Sequence, residues 1–121
     1  MLVTIDHASR VPLAEQIAAC VRRQLADGSL RPGERLPAAR ALARTLDVNV
    51  HTVLRAYQLL QAERLLELRP GRGAVVSADA PASRALAVEA CRRFVRLARR
   101  EGLSEGEAVA MVREEFGRER G

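Results

Sequence analysis

The chain has 121 residues, a formal net charge of +5 and an isoelectric point near 10.8, and all 20 of its basic residues are arginine. A chain of this length buries one modest core, which argues against a catalytic barrel or a dinucleotide-binding fold. The arginine excess indicates an anionic partner such as nucleic acid, but a GC-rich genome produces the same excess, so charge alone does not decide between these explanations.

The cysteines and the amino terminus bear on the cellular compartment. Cys20 and Cys91 lie far apart within apolar helical patterns, so we expect buried reduced thiols rather than a disulfide or a zinc site. The opening stretch MLVTIDHASR has no apolar signal core, and no apolar run is long enough to cross a bilayer. We therefore expect a soluble, cytoplasmic protein that makes no membrane contact and holds neither a metal nor a cofactor.

An extended lead-in and a helix open the chain. Residues 1–10 are predicted to be extended, because apolar and polar residues alternate there. A helix follows from Leu13, and Gly28 ends it. Arg22 and Arg23 lie largely off its apolar face, which is formed by Leu13, Ile17, Cys20, Val21 and Leu25.

A turn and a short helix come next. The segment SLRPGERLP contains a Pro-Gly turn, and Leu30 and Leu36 are expected to hold this loop on the core. Residues 37–46 then have helical periodicity, with Arg40 and Arg44 on the polar face. The opposite face is formed by Ala39, Leu42, Ala43 and Leu46.

The helix that begins after Asn49 is predicted to present polar side chains outward. Its buried face is formed by Val50, Val53, Leu54, Tyr57 and Leu60. The side chains outside this face are His51, Thr52, Arg55 and Gln58. Asn49 is a favourable N-cap, so the amino end of the helix carries a partial positive charge that attracts anions. A tight turn near Asp47 joins it to the preceding helix, which suggests a helix-turn-helix whose second helix enters the DNA major groove.

After residues 62–64 the pattern changes from helical to extended, which predicts a β-hairpin. Two apolar strands flank the turn Pro70-Gly71-Arg72-Gly73. The glycines of this turn let backbone amides approach a phosphate, and Arg72 can reach the backbone or the minor groove of DNA. The alternative is a plain hairpin with one solvated arginine, but a hairpin attached to a helix-turn-helix favours a nucleic-acid-binding wing.

A small-residue stretch separates the wing from a helical tail. We place the domains at 1–77, a linker at 78–83 and a tail at 84–121, where two helices joined by a short loop form an antiparallel hairpin. Ser104 and Glu107 are a capping box for the second helix. The apolar surface of this pair needs a partner, and a second copy of the chain is favoured because two-fold homodimers are the commonest oligomers. The predicted dimer interface consists of Ala87, Cys91, Phe94, Val95, Ala98, Val109, Val112 and Phe116.

Residues 12–76 resemble the winged helix-turn-helix domain of the GntR family of bacterial transcriptional regulators. The resemblance rests on four pieces in the family's order and spacing: PL..QI, G.L.PG..LP..R.LA, V...TV..AY..L and G.G..V. The short tail resembles that of the YtrA-type subfamily, where it serves dimerisation. The resemblance implies a mainly α fold with a small β-hairpin wing, and a dimeric repressor that binds a double-stranded DNA operator of its own operon or of neighbouring transporter genes.

The resemblance places the family's DNA-contacting positions on Arg40, on residues 49–52 at the start of the helix that follows the tight turn, and on Gly71. With the residues chosen from the helix pattern and the wing turn, the predicted DNA-binding set is Arg40, Asn49, Val50, His51, Thr52, Arg55, Gly71, Arg72 and Gly73. Each helical residue also has a plainer interpretation. Arg55 could contact phosphate or only solvent, His51 could be a neutral surface residue, and Thr52 could only help to cap the helix.

The departures from the family pattern concern five positions. Ala38 stands where the family usually has serine, so a hydroxyl contact to phosphate is expected to be missing. Val50 stands where the family very often has a base-reading arginine, and a bidentate contact of that kind contributes about 1–3 kcal/mol of base discrimination. Asn49 replaces the common Ser or Thr. Asp47 and Arg64 replace glycines, which places positive φ angles on residues that adopt them at a cost.

DNA binding has one alternative, and a third function class is not expected. A winged-helix protein-interaction module is the alternative, and Val50 is the observation in its favour. An enzyme is not expected, because His7 and His51 have no carboxylate or cysteine at a useful spacing. The sequence leaves open whether an unknown small-molecule effector relieves repression. Such an effector would bind between the tails of two subunits or between tail and winged domain.

Overall fold

The computed structural model describes residues 1–78 and 82–120. Within these ranges the elements are α1 (Leu13–Ala26), α2 (Ala39–Leu46), α3 (Val50–Ala62), β1 (Leu66–Arg69), β2 (Gly73–Val76), α4 (Ala82–Arg100) and α5 (Glu105–Arg120). The predicted fold class, mainly α with a small β-hairpin, is confirmed. None of the helices in the described ranges is both long enough and apolar enough to span a bilayer.

Chain contacts divide the protein into two compact units, Met1–Val88 and Glu89–Gly121. The division falls inside α4, which begins two residues earlier than the predicted tail. Residues 79–81 of the predicted linker lie outside the described residues. The proposed domain boundaries at 78 and 83 therefore stay a prediction.

Helices α1 and α3 form the centre of the core in the first unit. Ile17 and Val21 of α1 and Val53 and Leu60 of α3 are fully buried. The prediction that Leu54 is buried is wrong, because its side chain is 39% exposed. Val53, Ala56, Tyr57 and Leu60 follow the i, i+3, i+4, i+7 spacing that faces the core, and Leu54 lies one helical step of 100° away from that face.

A buried ion pair joins α1 to the end of α3, which corrects the prediction that Arg22 lies off the buried face. The Arg22 side chain is 1% exposed and its guanidinium binds Glu63 through two bonds, Nε to Oε2 at 2.8 Å and Nη2 to Oε1 at 2.5 Å. Glu63 is the C-cap of α3. This bidentate pairing offsets the cost of removing the guanidinium from water, so a charged side chain can occupy the core side of α1.

The ends of α2 and α3 confirm the predicted positive φ angles. Asp47, the C-cap of α2, has φ of 54°, and Arg64, directly after the C-cap of α3, has φ of 64°. Both angles let a following amide bond back onto the helix, Val48 N to Ala43 O at 3.0 Å and Leu65 N to Leu60 O at 2.9 Å. The left-handed residue at Asp47 thus makes the tight turn between α2 and α3.

The β-hairpin pairs Leu66 with Val76 and Arg69 with Gly73 in an antiparallel register. An earlier segment, residues 33–36, adds bonds to the other side of β2: Gly33 N to Val76 O at 2.9 Å, Val76 N to Glu34 O at 2.7 Å and Leu36 N to Ala74 O at 2.9 Å. Leu30 and Leu36 are buried, which confirms that they hold this loop on the core. The segment supports a hairpin that two strands alone would stabilise only marginally.

The second unit contains the greater part of α4 and all of α5, joined by a short loop. Among the described residues, these two helices are not one of the element pairs that pack closely together, so their predicted antiparallel packing is not confirmed. Glu107 N donates to Ser104 Oγ at 3.1 Å and Ser104 N donates to Glu107 Oε1 at 3.2 Å, so the capping box is confirmed. Cys20 is buried and free, as predicted, but the prediction that Cys91 is buried is wrong. Helical spacing predicted the apolar face of α4. It could not show that Cys91, which lies on that face, is exposed in the single chain.

The ion pair generates a prediction about stability. Replacing Arg22 by alanine leaves the mostly buried Glu63 carboxylate without its partner, so Arg22→Ala should lower the free energy of unfolding by about 3–5 kcal/mol. The neighbouring Arg23 side chain is exposed, and Arg23→Ala should cost less than about 0.5 kcal/mol. Urea denaturation of the two variants measures the difference, and equal losses would contradict a special role for Arg22.

Candidate nucleic-acid interface

The amino end of α3 is exposed and capped. Asn49 Oδ1 accepts a hydrogen bond from His51 N at 2.8 Å, which confirms the predicted N-cap. Because the amide oxygen is used in the cap, the Asn49 side-chain nitrogen is the group left to donate outward. The helix dipole gives this end a partial positive charge, which suits a phosphate or the acceptor edge of a base.

Four of the predicted base-facing residues lie together around this first turn. Asn49, His51 and Arg55 are exposed, and His51 and Arg55 are four residues apart, so they share one helical face. Thr52 is half-buried, and its backbone amide donates to Asn49 O at 3.0 Å. Val50 is also half-buried and packs against the core, so only part of its side chain faces outward.

Helix α2 adds positive charge beside α3. Arg40 is exposed in the first turn of α2, and Arg44 is exposed one turn later. Between positions 39 and 62 the only acidic residue is Asp47, against three arginines. Ala38, the N-cap of α2, makes no side-chain capping bond, as its lack of a hydroxyl predicts. We call Arg40, Asn49, Val50, His51, Thr52 and Arg55 together the reading surface.

One hydrogen bond ties α3 to the segment before α2. Tyr57 is 3% exposed and its hydroxyl donates to Pro37 O at 2.6 Å. Burial raises the pKa of Tyr57 to about 12. Because Pro37 lies two residues before α2, this bond helps to set where α3 sits relative to α2.

The wing tip, residues 71–73, is exposed. Gly71 has φ of 75° and Gly73 has φ of 71°, which are left-handed conformations that glycine adopts without strain. Arg72 N donates to Arg69 O at 3.0 Å and closes the turn, and the Arg72 side chain is exposed. The predicted geometry, an arginine held between two glycines at the end of a hairpin, is therefore present.

Arg35 braces this turn, a role that the sequence analysis missed. Its Nε donates to Arg72 O at 2.8 Å and its Nη2 to Gly71 O at 3.5 Å, and the residue pairs with Val75 in an isolated β-bridge. Local sequence around Arg35 indicates only a Pro-Gly loop. The only indication in the sequence is that Arg35 directly precedes Leu36 in GERLP. A residue next to a buried leucine can be extended and lie beside the hairpin.

The predicted dimer-interface residues are mostly uncovered within the single chain. Val95, Val109 and Val112 are 40–42% exposed and Phe116 is 63% exposed. Ala87 and Cys91 are exposed and Phe94 is half-buried. Ala98 is 5% exposed, so it is already covered within its own chain and has little surface left for a partner.

The part of the chain that the structure describes contains no cluster of metal-binding side chains. Among residues 1–78 and 82–120, no three His, Cys, Asp or Glu side chains come together in a way that could hold a metal ion. The available chemistry consists of arginine, amide, hydroxyl and imidazole groups at one exposed helix end. These are donors for phosphate oxygens and for base edges.

Comparison with protein families and characterised relatives gives a consistent result. The family model described as "Bacterial regulatory proteins, gntR family" matches residues 13–76. The transcriptional repressor YtrA of Bacillus subtilis is 35% identical over 79 residues, which are 65% of this chain and 61% of YtrA. The transcriptional regulator Rv1152 of Mycobacterium tuberculosis is 35% identical over 105 residues, covering 87% of this chain and 86% of that protein.

Solved structures show the same fold. YtrA from Sulfolobus acidocaldarius, described as a GntR-family transcription factor, has 34% identity and a TM-score of 0.61, covering 78% of this chain and 99% of that chain. The DNA-binding domain of AraR in complex with operator ORX1 has 21% identity and a TM-score of 0.56, covering 64% of this chain and 96% of that chain. The second likeness shows the fold alone.

The Tyr57 bond generates a prediction about alkaline pH. The chain has one tyrosine, no tryptophan and no lysine, so tyrosinate absorbance reports Tyr57 directly. The native chain should titrate near pH 12, against the ordinary value of 10 in denaturant. Since the folded state favours the neutral phenol, stability should be constant with respect to this group below pH 10 and should fall as the pH rises from 10 towards 12. Tyr57→Phe should remove this dependence, and a native midpoint near 10 would contradict the burial of the hydroxyl.

The Arg35 brace predicts the order of the wing tip. Arg35→Gln removes the guanidinium bonds to the wing carbonyls, so the amide of Arg72 should exchange with solvent about fivefold faster, as the loss of about 1 kcal/mol implies. Arg31→Gln removes an exposed arginine from the same loop and is the matched control. Hydrogen exchange followed by NMR measures both variants. Unchanged exchange in Arg35→Gln would show that the brace does not order the turn.

Proposed function

Because the chain belongs to the GntR family of bacterial regulatory proteins, we propose that it is a sequence-specific, dimeric repressor of its own operon or of a neighbouring transporter operon. Proteins of this family are DNA-binding transcriptional regulators rather than enzymes. The observation that carries the proposal is the capped, exposed amino end of α3, which presents Asn49, His51 and Arg55 beside the arginines of α2. Work on chromosomal DNA would place the protein in the cytoplasm.

The residues divide into backbone-holding and base-reading groups. Arg40 and Arg72 contact phosphates and set the position of the protein on the duplex, and the positive end of the α3 dipole attracts the same groups. Asn49, His51, Thr52 and Arg55 face base edges in the major groove. Gly71 and Gly73 let the wing tip approach the duplex closely.

The specificity is expected to differ from that of typical relatives. Val50 cannot make the bidentate contact that an arginine makes with guanine, but the exposed part of its side chain can meet a thymine methyl group. The Asn49 side chain has its oxygen engaged in the cap, and its nitrogen can donate to a base acceptor. His51 is then the side chain best placed to distinguish a purine edge.

Dimerisation is assigned to the exposed apolar residues of the tail. Val95, Val109, Val112 and Phe116 leave apolar surface uncovered, which a second copy would remove from water. A two-fold dimer would present two reading surfaces to two half-sites about one helical turn apart. The repressor role follows the name of the Bacillus subtilis relative.

A protein-interaction module is the second candidate, and Val50 is the observation that favours it. The two functions differ in their response to salt. A DNA-binding protein that neutralises about 6–10 phosphates loses affinity by orders of magnitude as salt rises from about 50 to 200 mM, whereas an apolar protein interface does not.

The backbone-holding and base-reading roles predict different effects of substitution at Arg40 and at His51. Arg40→Ala should weaken binding to the upstream DNA and to a scrambled control alike, and should reduce the slope of log affinity against log salt by about 1. His51→Ala should keep the slope but lose the preference for one base in each half-site. Fluorescence anisotropy at several salt concentrations measures both. Equal, sequence-independent losses from the two variants would refute the assignment.

The tail predicts the oligomeric state. Val112→Glu combined with Phe116→Glu places two charges on the exposed apolar face, so this variant should sediment as a monomer and bind DNA more weakly than the parent chain. Glu119→Ser changes an exposed residue of the same helix and should leave the dimer intact. If the double variant still sediments as a dimer, the dimer interface does not include this face of α5.

A further inference from the structure

A cleft lies beside the carboxyl end of α3, away from the reading surface. It has a volume of about 600 Å³ and is bordered by Gln61, Arg64, Glu67, Arg69, Ser77 and Arg84, with two leucines of β1 completing it. Helix α3 has 13 residues, so this end is about 20 Å from the amino end that faces DNA. The volume falls in the range of sites for metabolite-sized ligands.

The lining carries an excess of positive charge. Three arginines face one carboxylate, Glu67, and Arg69 pairs with it at 2.5 Å. Arg84 donates from Nε to Glu63 O at 3.1 Å, which leaves its two terminal nitrogens to bind another acceptor. Within residues 1–78 and 82–120, neither Arg64 nor Arg84 has a carboxylate partner. The cleft thus presents two guanidinium groups that form no ion pair with a carboxylate in the described part of the chain.

A serine hydroxyl adds a neutral hydrogen-bonding group to the cleft. Ser77 is 6% exposed and lines the cleft, so its hydroxyl lies within the cleft wall beside the arginines. An oxyanion in the cleft would accept a bond from this hydroxyl while binding the arginines.

We propose that this cleft binds a small organic anion that carries carboxylate or phosphate groups. Arg64 and Arg84 hold the charged groups, Ser77 donates a hydrogen bond, and the leucines of β1 contact the apolar part of the ligand. The ligand would contact the ends of α3 and β1 and the first turn of α4. If binding alters the position of α3, operator affinity and ligand affinity are coupled by the same factor in both directions; this consequence rests on the proposed function, whereas binding itself does not.

The test uses the full chain without DNA, so its failure is separate from failure of DNA binding. Calorimetric titration with citrate and with inorganic pyrophosphate, at an ionic strength held constant with chloride, should show saturable binding of at least one probe at one site per chain. Preference for citrate indicates a carboxylate ligand, and preference for pyrophosphate indicates a phosphate ligand. Absence of saturable binding of both probes would overturn the proposal.

Variants localise the site. Arg64→Gln should weaken probe binding about tenfold, because it removes a charge-assisted hydrogen bond, and Ser77→Ala should weaken it less. Arg10→Gln removes the same charge from an exposed position and should change the affinity by less than about twofold. Thermal unfolding checks that each variant folds. Equal weakening by Arg10→Gln and Arg64→Gln would show attraction by net charge alone. If Arg64→Gln weakens DNA binding and neither probe binds the parent chain, the cleft contacts DNA phosphate instead of a small anion.

Discussion

The position of α3 depends on the buried ion pair between Arg22 and Glu63. This pair joins the carboxyl end of α3 to α1 by two hydrogen bonds, with the Arg22 side chain 1% exposed and the Glu63 side chain 17% exposed. Such a pair does not by itself make a protein more stable than a well-packed apolar contact would, but removing either partner leaves the other charge uncompensated in a buried site. Tyr57 fixes the middle of the same helix to Pro37. The amino end of α3 is then free to face outward because the rest of the helix is held.

Different parts of α3 have different roles. The apolar side of α3 completes the core, the capped amino end offers donors and a partial positive charge, and the carboxyl end contacts the start of the tail through Arg84 and the carbonyl of Glu63. The wing is held in a comparable way, since residues 33–36 and Arg35 support the hairpin from the side opposite to β1. The polar groups assigned to DNA therefore sit on rigid elements, as precise base reading requires.

Local chemistry made part of this structure predictable. Asn49 and the Ser104–Glu107 pair are caps that act within three residues, and the positive φ angles of Asp47 and Arg64 follow from where a helix must end. The reading surface followed from helical spacing and from the resemblance. Features that depend on distant partners were not predictable. The burial of Arg22 requires a carboxylate 41 residues away, and the role of Arg35 requires carbonyls of a turn 36 and 37 residues away. The exposure of Leu54 and Cys91 depends on which face the rest of the chain covers.

The central claim is that the exposed amino end of α3 reads base edges, and selection from a randomised DNA library tests it most directly. The parent chain and Val50→Arg are each used to select bound duplexes, which are then sequenced. We expect two half-sites about one helical turn apart for both proteins. Val50→Arg should gain a preference for guanine at one position of each half-site and leave the other positions unchanged. Identical base preferences for the two proteins, or none for either, would contradict reading by this end of the helix.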